Sequence, residues 1–90
     1  MRILKGGSAE VRPNEWIKFD LELDESDLQA LKVKHNLGEL SVVQKYNLLV
    51  KQAELLVTVQ MESAGVTGDK SSRELMNEFN ALVEKLSKAE

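Results

Sequence analysis

From Trp16 to Leu23 the chain alternates strictly. Ile17, Phe19, Leu21 and Leu23 fall on one side of an extended backbone, and Trp16, Lys18, Asp20 and Glu22 fall on the other. A period of two is that of a strand with one buried face, so a strand is predicted over 16–23. A lone strand leaves its N–H and C=O groups unpaired, and two partners are available: the Arg2 to Lys5 segment folded back as a hairpin, or the same strand of a second copy. Residues 1–15 read as an extended or flexible arm broken by Gly6-Gly7-Ser8. Pro13-Asn14 suits the centre of a type I turn, because proline presets φ and asparagine tolerates the next position.

After Leu23 the period changes to that of a helix. Asp24-Glu25-Ser26-Asp27 supplies short oxygen-bearing side chains for unpaired backbone amides and acidic groups for the positive end of a helix dipole. Leu28, Leu31 and His35 then recur at helical spacing, which predicts a short helix over 25–36 closed by Asn36-Leu37-Gly38. Ser41-Val42-Val43-Gln44 has the form of a capping box and opens a long helix over 41–63. Gly65-Val66-Thr67-Gly68-Asp69 interrupts the pattern, and Ser71-Ser72-Arg73-Glu74 is a second capping box ahead of a helix over 72–88, with Leu75, Phe79, Leu82 and Leu86 on one face. The expected fold is therefore mainly α. It is one domain over 1–90, with an amino-terminal strand or hairpin, a short helix, a long central helix and an antiparallel carboxy-terminal helix.

The long helix is apolar on two sides. At about 100° per residue, Val42, Tyr46, Leu49, Val50, Ala53, Leu56 and Val57 share a broad face, and Leu48, Leu55 and Val59 form a narrower second stripe. A helix that covers only one core ordinarily turns charge to the far side. The second stripe is thus expected to meet a second copy, which makes Leu48, Leu55 and Val59 candidate interface residues. Trp16 joins them, because alternation puts this tryptophan on the polar side of its strand and tryptophan is enriched at the energetic centres of interfaces.

Composition removes several classes of function. With 90 residues, 42% apolar and 30% charged, the chain has the make-up of a folded domain with one core. It has no cysteine and a single histidine, so thiol chemistry, thiolate metal sites and disulfides are excluded. Asp20, Glu22 and Asp24 lack the glycine turn and closing glutamate of a calcium loop, and read as a solvated strand face and a helix cap. Gly68-Asp69-Lys70-Ser71 breaks the glycine-lysine pair a phosphate loop needs. His35, near a helix end, reads as a capping residue favoured by the dipole. No catalytic, cofactor or metal site is expected. Met1 to Lys5 is too short and polar for the apolar core of a secretion signal, and no run reaches the length of a membrane span, so a cytoplasmic protein with no membrane partner is expected.

The net charge of −3 is divided between a basic start, with Arg2, Lys5, Arg12 and Lys18, and an acidic knot from Asp20 to Asp27. The order of strand, short helix, Gly38 turn and helix opening at Ser41 resembles the ribbon-helix-helix family of DNA-binding dimers over about residues 18–57. Phe19, Leu21 and Leu23 match the inward strand residues. The resemblance implies an antiparallel ribbon between two copies, lying in the major groove, with Lys18 and Arg12 as the DNA contacts. The outward positions that match the family's reading residues hold Lys18, Asp20 and Glu22, and two acids per subunit would face the phosphates with like charge. Two functions are therefore expected in order. The first is a non-enzymatic protein-interaction module, a homodimer joined through the long helix and able to take a protein partner. The alternative is a ribbon-helix-helix-like DNA-binding transcriptional regulator or antitoxin-type protein.

Overall fold

A computed structural model describes the backbone of residues 3–88, and side chains in that range other than those of residues 3–12, 16, 17, 19 and 20. Two strands and three helices follow in order: β1 (Ile3–Arg12), β2 (Glu15–Leu23), α1 (Glu25–Lys34), α2 (Val42–Ser63) and α3 (Ser72–Lys88). The fold is mainly helical, with the strand, short helix, long helix and final helix in the expected order.

The strand over 16–23 finds its partner inside the chain. β1 and β2 form an antiparallel hairpin with Ile3 opposite Leu23, Gly7 opposite Phe19 and Glu10 opposite Trp16, and the register shifts between Glu10 and Arg12 near the turn. β1 runs straight through Gly6-Gly7, where glycine weakens the local preference for a strand; the ladder to β2 supplies the backbone partners that such a segment lacks alone. Asn14 has φ of 67°. A type I turn needs negative φ at its second central residue, so the Pro13-Asn14 turn takes the type II sign there instead.

Local capping chemistry sets the helix ends. At α1, the Asp24 carboxylate accepts from the Ser26 and Asp27 amides while the Asp27 carboxylate accepts from the Asp24 amide at 2.9 Å. The helix stops at Lys34, two residues before the expected end. Asn36 adopts φ of 54°, and the Leu37 amide donates back to the Lys32 carbonyl at 2.9 Å while that of Asn36 donates to Val33 at 3.3 Å. That is a Schellman ending with asparagine in the left-handed position. Ser41 and Gln44 close the expected box at the start of α2, with bonds of 3.2 and 2.8 Å. α2 ends on a second Schellman motif, in which Gly65 takes φ of 78° and the Val66 amide donates to the Met61 carbonyl at 2.9 Å.

One core holds the elements together. Leu23 from β2, Leu28 and Leu31 from α1, Leu37 and Leu40 from the following loop, Leu48, Leu49 and Ala53 from α2, and Phe79 and Leu86 from α3 are all buried in it. α2 touches both strands and α3, so it is covered on more than one side by its own chain. The second apolar stripe therefore needs no second copy over most of its length. Leu48 is sealed completely and Leu55 nearly so.

Candidate interaction site

α2 is the element most surrounded by others, and its cover ends at its amino-terminal turns. Val42, Tyr46, Leu49 and Ala53 follow one another at spacings of four, three and four residues and lie along a single stripe of the helix. Leu49 and Ala53 are 0% exposed, whereas Val42 is 70% and Tyr46 52% exposed, with Val43 beside them at 67%. The buried face of α2 thus runs out into solvent at its amino-terminal end as a small apolar patch. The broad face is wide enough to cover the core, or to meet a second copy, and its first turns lie outside the core.

The far half of α2 opens onto a groove. One wall is the face of α1 formed by Asp27, Ala30, Leu31, Lys34 and His35, and the floor is the α2 stripe of Gln52, Leu55, Leu56 and Val59. Met76, Phe79 and Asn80 of α3 make the other wall at the wider end, where the depression measures about 240 Å³; the narrower end, toward Leu23, measures about 160 Å³. Val59 and Met76 stand partly exposed at its mouth. His35 crosses the end of the groove, its ring edge-on to Phe79 with centroids 5.7 Å apart. It holds the C-cap position of α1 through its backbone amide, which donates to the Leu31 carbonyl, while its ring packs on Phe79.

The interface residues expected from the sequence are thus divided. Leu48 belongs to the core, Leu55 lies in the floor of the groove and Val59 at its mouth. The side chains of Trp16 and Arg12 lie outside the described residues, although Trp16 has its backbone in β2 opposite Glu10. Lys18 is exposed on β2 opposite Ser8, and Glu22 is exposed on the same strand. Periodicity puts Val42 and Tyr46 on the broad face and Met76 beside the inward face of α3, but it does not show that they are exposed, because it groups residues by face and does not show where a neighbouring element stops.

Charged groups elsewhere hold α3 in place. Lys51 of α2 donates to Glu78 of α3 at 2.9 Å, and Lys70 of the preceding loop reaches the same carboxylate at 2.9 and 3.1 Å. Glu62, near the end of α2, accepts from the Ser72 amide at 2.9 Å and from its hydroxyl at 2.6 Å, so one helix caps the next. At the same terminus the Ser71 hydroxyl accepts from the Glu74 amide at 3.2 Å. The Lys51 and Lys70 ammonium groups hold the Glu78 carboxyl below the usual range, and the bond to Glu78 raises Lys51 in turn. The Ser72 hydroxyl and amide lower Glu62, and the Ser26 hydroxyl and the cap amides lower Asp24. These shifts belong to caps and ion pairs, and none of these four groups lines the groove.

Among the described residues no group of three or more His, Asp or Glu side chains could hold a metal ion, and no helix is long and apolar enough to cross a membrane. Compared with known protein families, with characterised proteins and with solved structures, the chain matches none.

Proposed function

We propose that this chain is a non-enzymatic protein-interaction module that works in the cytoplasm as a homodimer, with the amino-terminal end of α2 as the face that meets the second copy. The observation that carries this is the exposure of Val42, Val43 and Tyr46 in continuation of the sealed Leu49 and Ala53. Surface helices ordinarily turn charged residues to water, and contiguous apolar side chains in the open mark contact sites. A two-fold contact sets each patch against its own copy, which suits side chains without charge, and the Tyr46 ring adds a rigid anchor with a polar tip.

The pairing of β2 with β1 supports this module over a ribbon-helix-helix-like regulator. In that family the strand is satisfied by a second copy, whereas here β1 already takes that role. Glu22, exposed on the same strand as Lys18, also opposes a polyanion.

Light scattering across the micromolar range tests the proposal. A dimer mass and a thermal midpoint that rises with protein concentration are expected, and Tyr46→Glu should give a folded monomer. Leu55→Glu is uninformative here, because it places a charge inside the chain's own packing. A monomeric wild type throughout the range overturns the homodimer. Salt-sensitive binding to duplex DNA that weakens on Lys18→Ala would favour the regulator instead.

A further inference from the structure

The groove between α1 and the α2–α3 pair is separate from the patch at Val42 and Tyr46. We propose that it binds an amphipathic helix of a partner protein, about two turns long, with apolar anchors on one side and acidic side chains flanking them.

Length and lining set the first part of this. Asp27 to Lys34 on α1 and Gln52 to Val59 on α2 each span about 10 Å, which is the length of two helical turns, and His35 follows at the cap of α1. Within that length Leu31, Leu55, Leu56 and Phe79 offer a continuous apolar floor, with Val59 and Met76 half-open above it. Anchors one turn apart on an incoming helix fit a floor built from side chains that are themselves one turn apart.

The walls decide that the occupant is a helix. Apart from Leu23, the last residue of β2, at the narrow end, the lining comes from helices, whose interior backbone groups already bond to one another, and from the cap residue His35. An extended peptide laid between these helices would find, past Leu23, no strand to pair with and would carry unsatisfied N–H and C=O groups into an apolar cleft. A helix satisfies those groups within itself.

Charge decides the flanks. Lys34 and His35 stand at the rim with the neutral Gln52 and Asn80. Arg73 lies one turn before Met76 on α3, and among the described residues neither Lys34 nor Arg73 forms an ion pair. The acid in the lining, Asp27, is at the narrow end and already accepts from the Asp24 amide at 2.9 Å. A carboxylate entering the wide end therefore meets the unpaired Lys34 and no acid in the lining, and the carboxylate nearest in sequence to Val59, that of Glu62, is bonded to Ser72. A second copy does not answer that description. Its exposed apolar cluster at the start of α2 has no acid in the first turn of that helix and carries Lys45 beside Tyr46, and the exposed Val33 of α1 lies between Lys32 and Lys34 in the chain.

The test uses the full chain and a synthetic helical alanine-based peptide of about four turns, with leucines spaced four and three residues apart and two flanking glutamates. A second peptide has lysines for the glutamates. The glutamate peptide is expected to bind with amide shift changes centred on Leu31, Lys34, Val59 and Met76, and the lysine peptide to bind at least about tenfold more weakly. Met76→Glu should weaken the glutamate peptide by about tenfold or more with the thermal melt unchanged, since Met76 is 45% exposed, and Lys34→Glu should reverse the preference between peptides. Binding should persist in Tyr46→Glu, which separates this surface from the homodimer. Equal binding of the two peptides, shifts centred on Val42 to Tyr46, binding untouched by both Met76→Glu and Val59→Glu, or concentration-dependent shifts in the groove without peptide would each overturn the proposal.

Discussion

Leu48 and Leu49 are neighbours on α2, point about 100° apart and are both fully sealed, which a helix achieves only when its own chain covers it on two sides. Leu48→Ala should therefore lower monomer stability by about 2–5 kcal/mol, like Leu49→Ala, in urea unfolding at low protein concentration. A loss seen only at concentrations where the protein associates would return Leu48 to an intersubunit stripe. Gly65, at φ of 78°, ends α2 in a conformation that an L side chain resists, although the space around it is open. Gly65→Ala should cost about 1 kcal/mol through backbone strain alone, with no change in the core. At Asn36 and Asn14 asparagine takes the left-handed role, as a side chain that bonds locally and tolerates αL does more readily than most.

Among the elements, α3 depends most on others. Its first turn is capped by Ser71 from its own segment and by Glu62 from α2, and its second turn is held through Glu78 by Lys51 and Lys70. Glu62→Ala is expected to lower the thermal midpoint and to speed amide exchange at Ser72, while Ser71→Ala speeds exchange at Glu74; exchange unchanged at Ser72 would show that the tertiary cap is dispensable. Ser41→Ala, which removes a box wholly internal to α2, should cost about 1 kcal/mol and leave α3 exchange unaffected. The hairpin is the opposite case, since β1 passes through two glycines with little preference of its own and exists by pairing with β2.

For the whole molecule, pH reports how the helices are joined. Glu62 and Glu78 have folded-state values below their ordinary 4.5, so the unfolded chain takes up protons first. Their contribution is complete above that value and is lost as pH falls through the lowered folded values. Lys51 is raised above 10.5, so its contribution is complete below that value and is lost as pH rises through the raised one. Thermal midpoints measured against pH should fall below about pH 4.5, and the Glu62→Gln, Glu78→Gln double variant should show a shallower fall there. Equal slopes would mean that these carboxylates carry none of the acid limb.

What the sequence by itself determined is the β2 strand, the three helices and most of their ends, while β1, which reads as an extended or flexible arm, is a strand through its ladder to β2. Alternation over 16–23, the box at Ser41, the Ser71 hydroxyl that takes the Glu74 amide, the acids at Asp24 and Asp27 and the break at Gly65 act on backbone groups within a few residues, so they are legible without the fold. Tertiary structure alone decided what covers each face. Periodicity placed Leu48 and Leu55 on one stripe and Val42 and Tyr46 on another, yet the chain seals the first pair and exposes the second. Burial depends on which element lies across a face and on where that element stops, and neither is a local property.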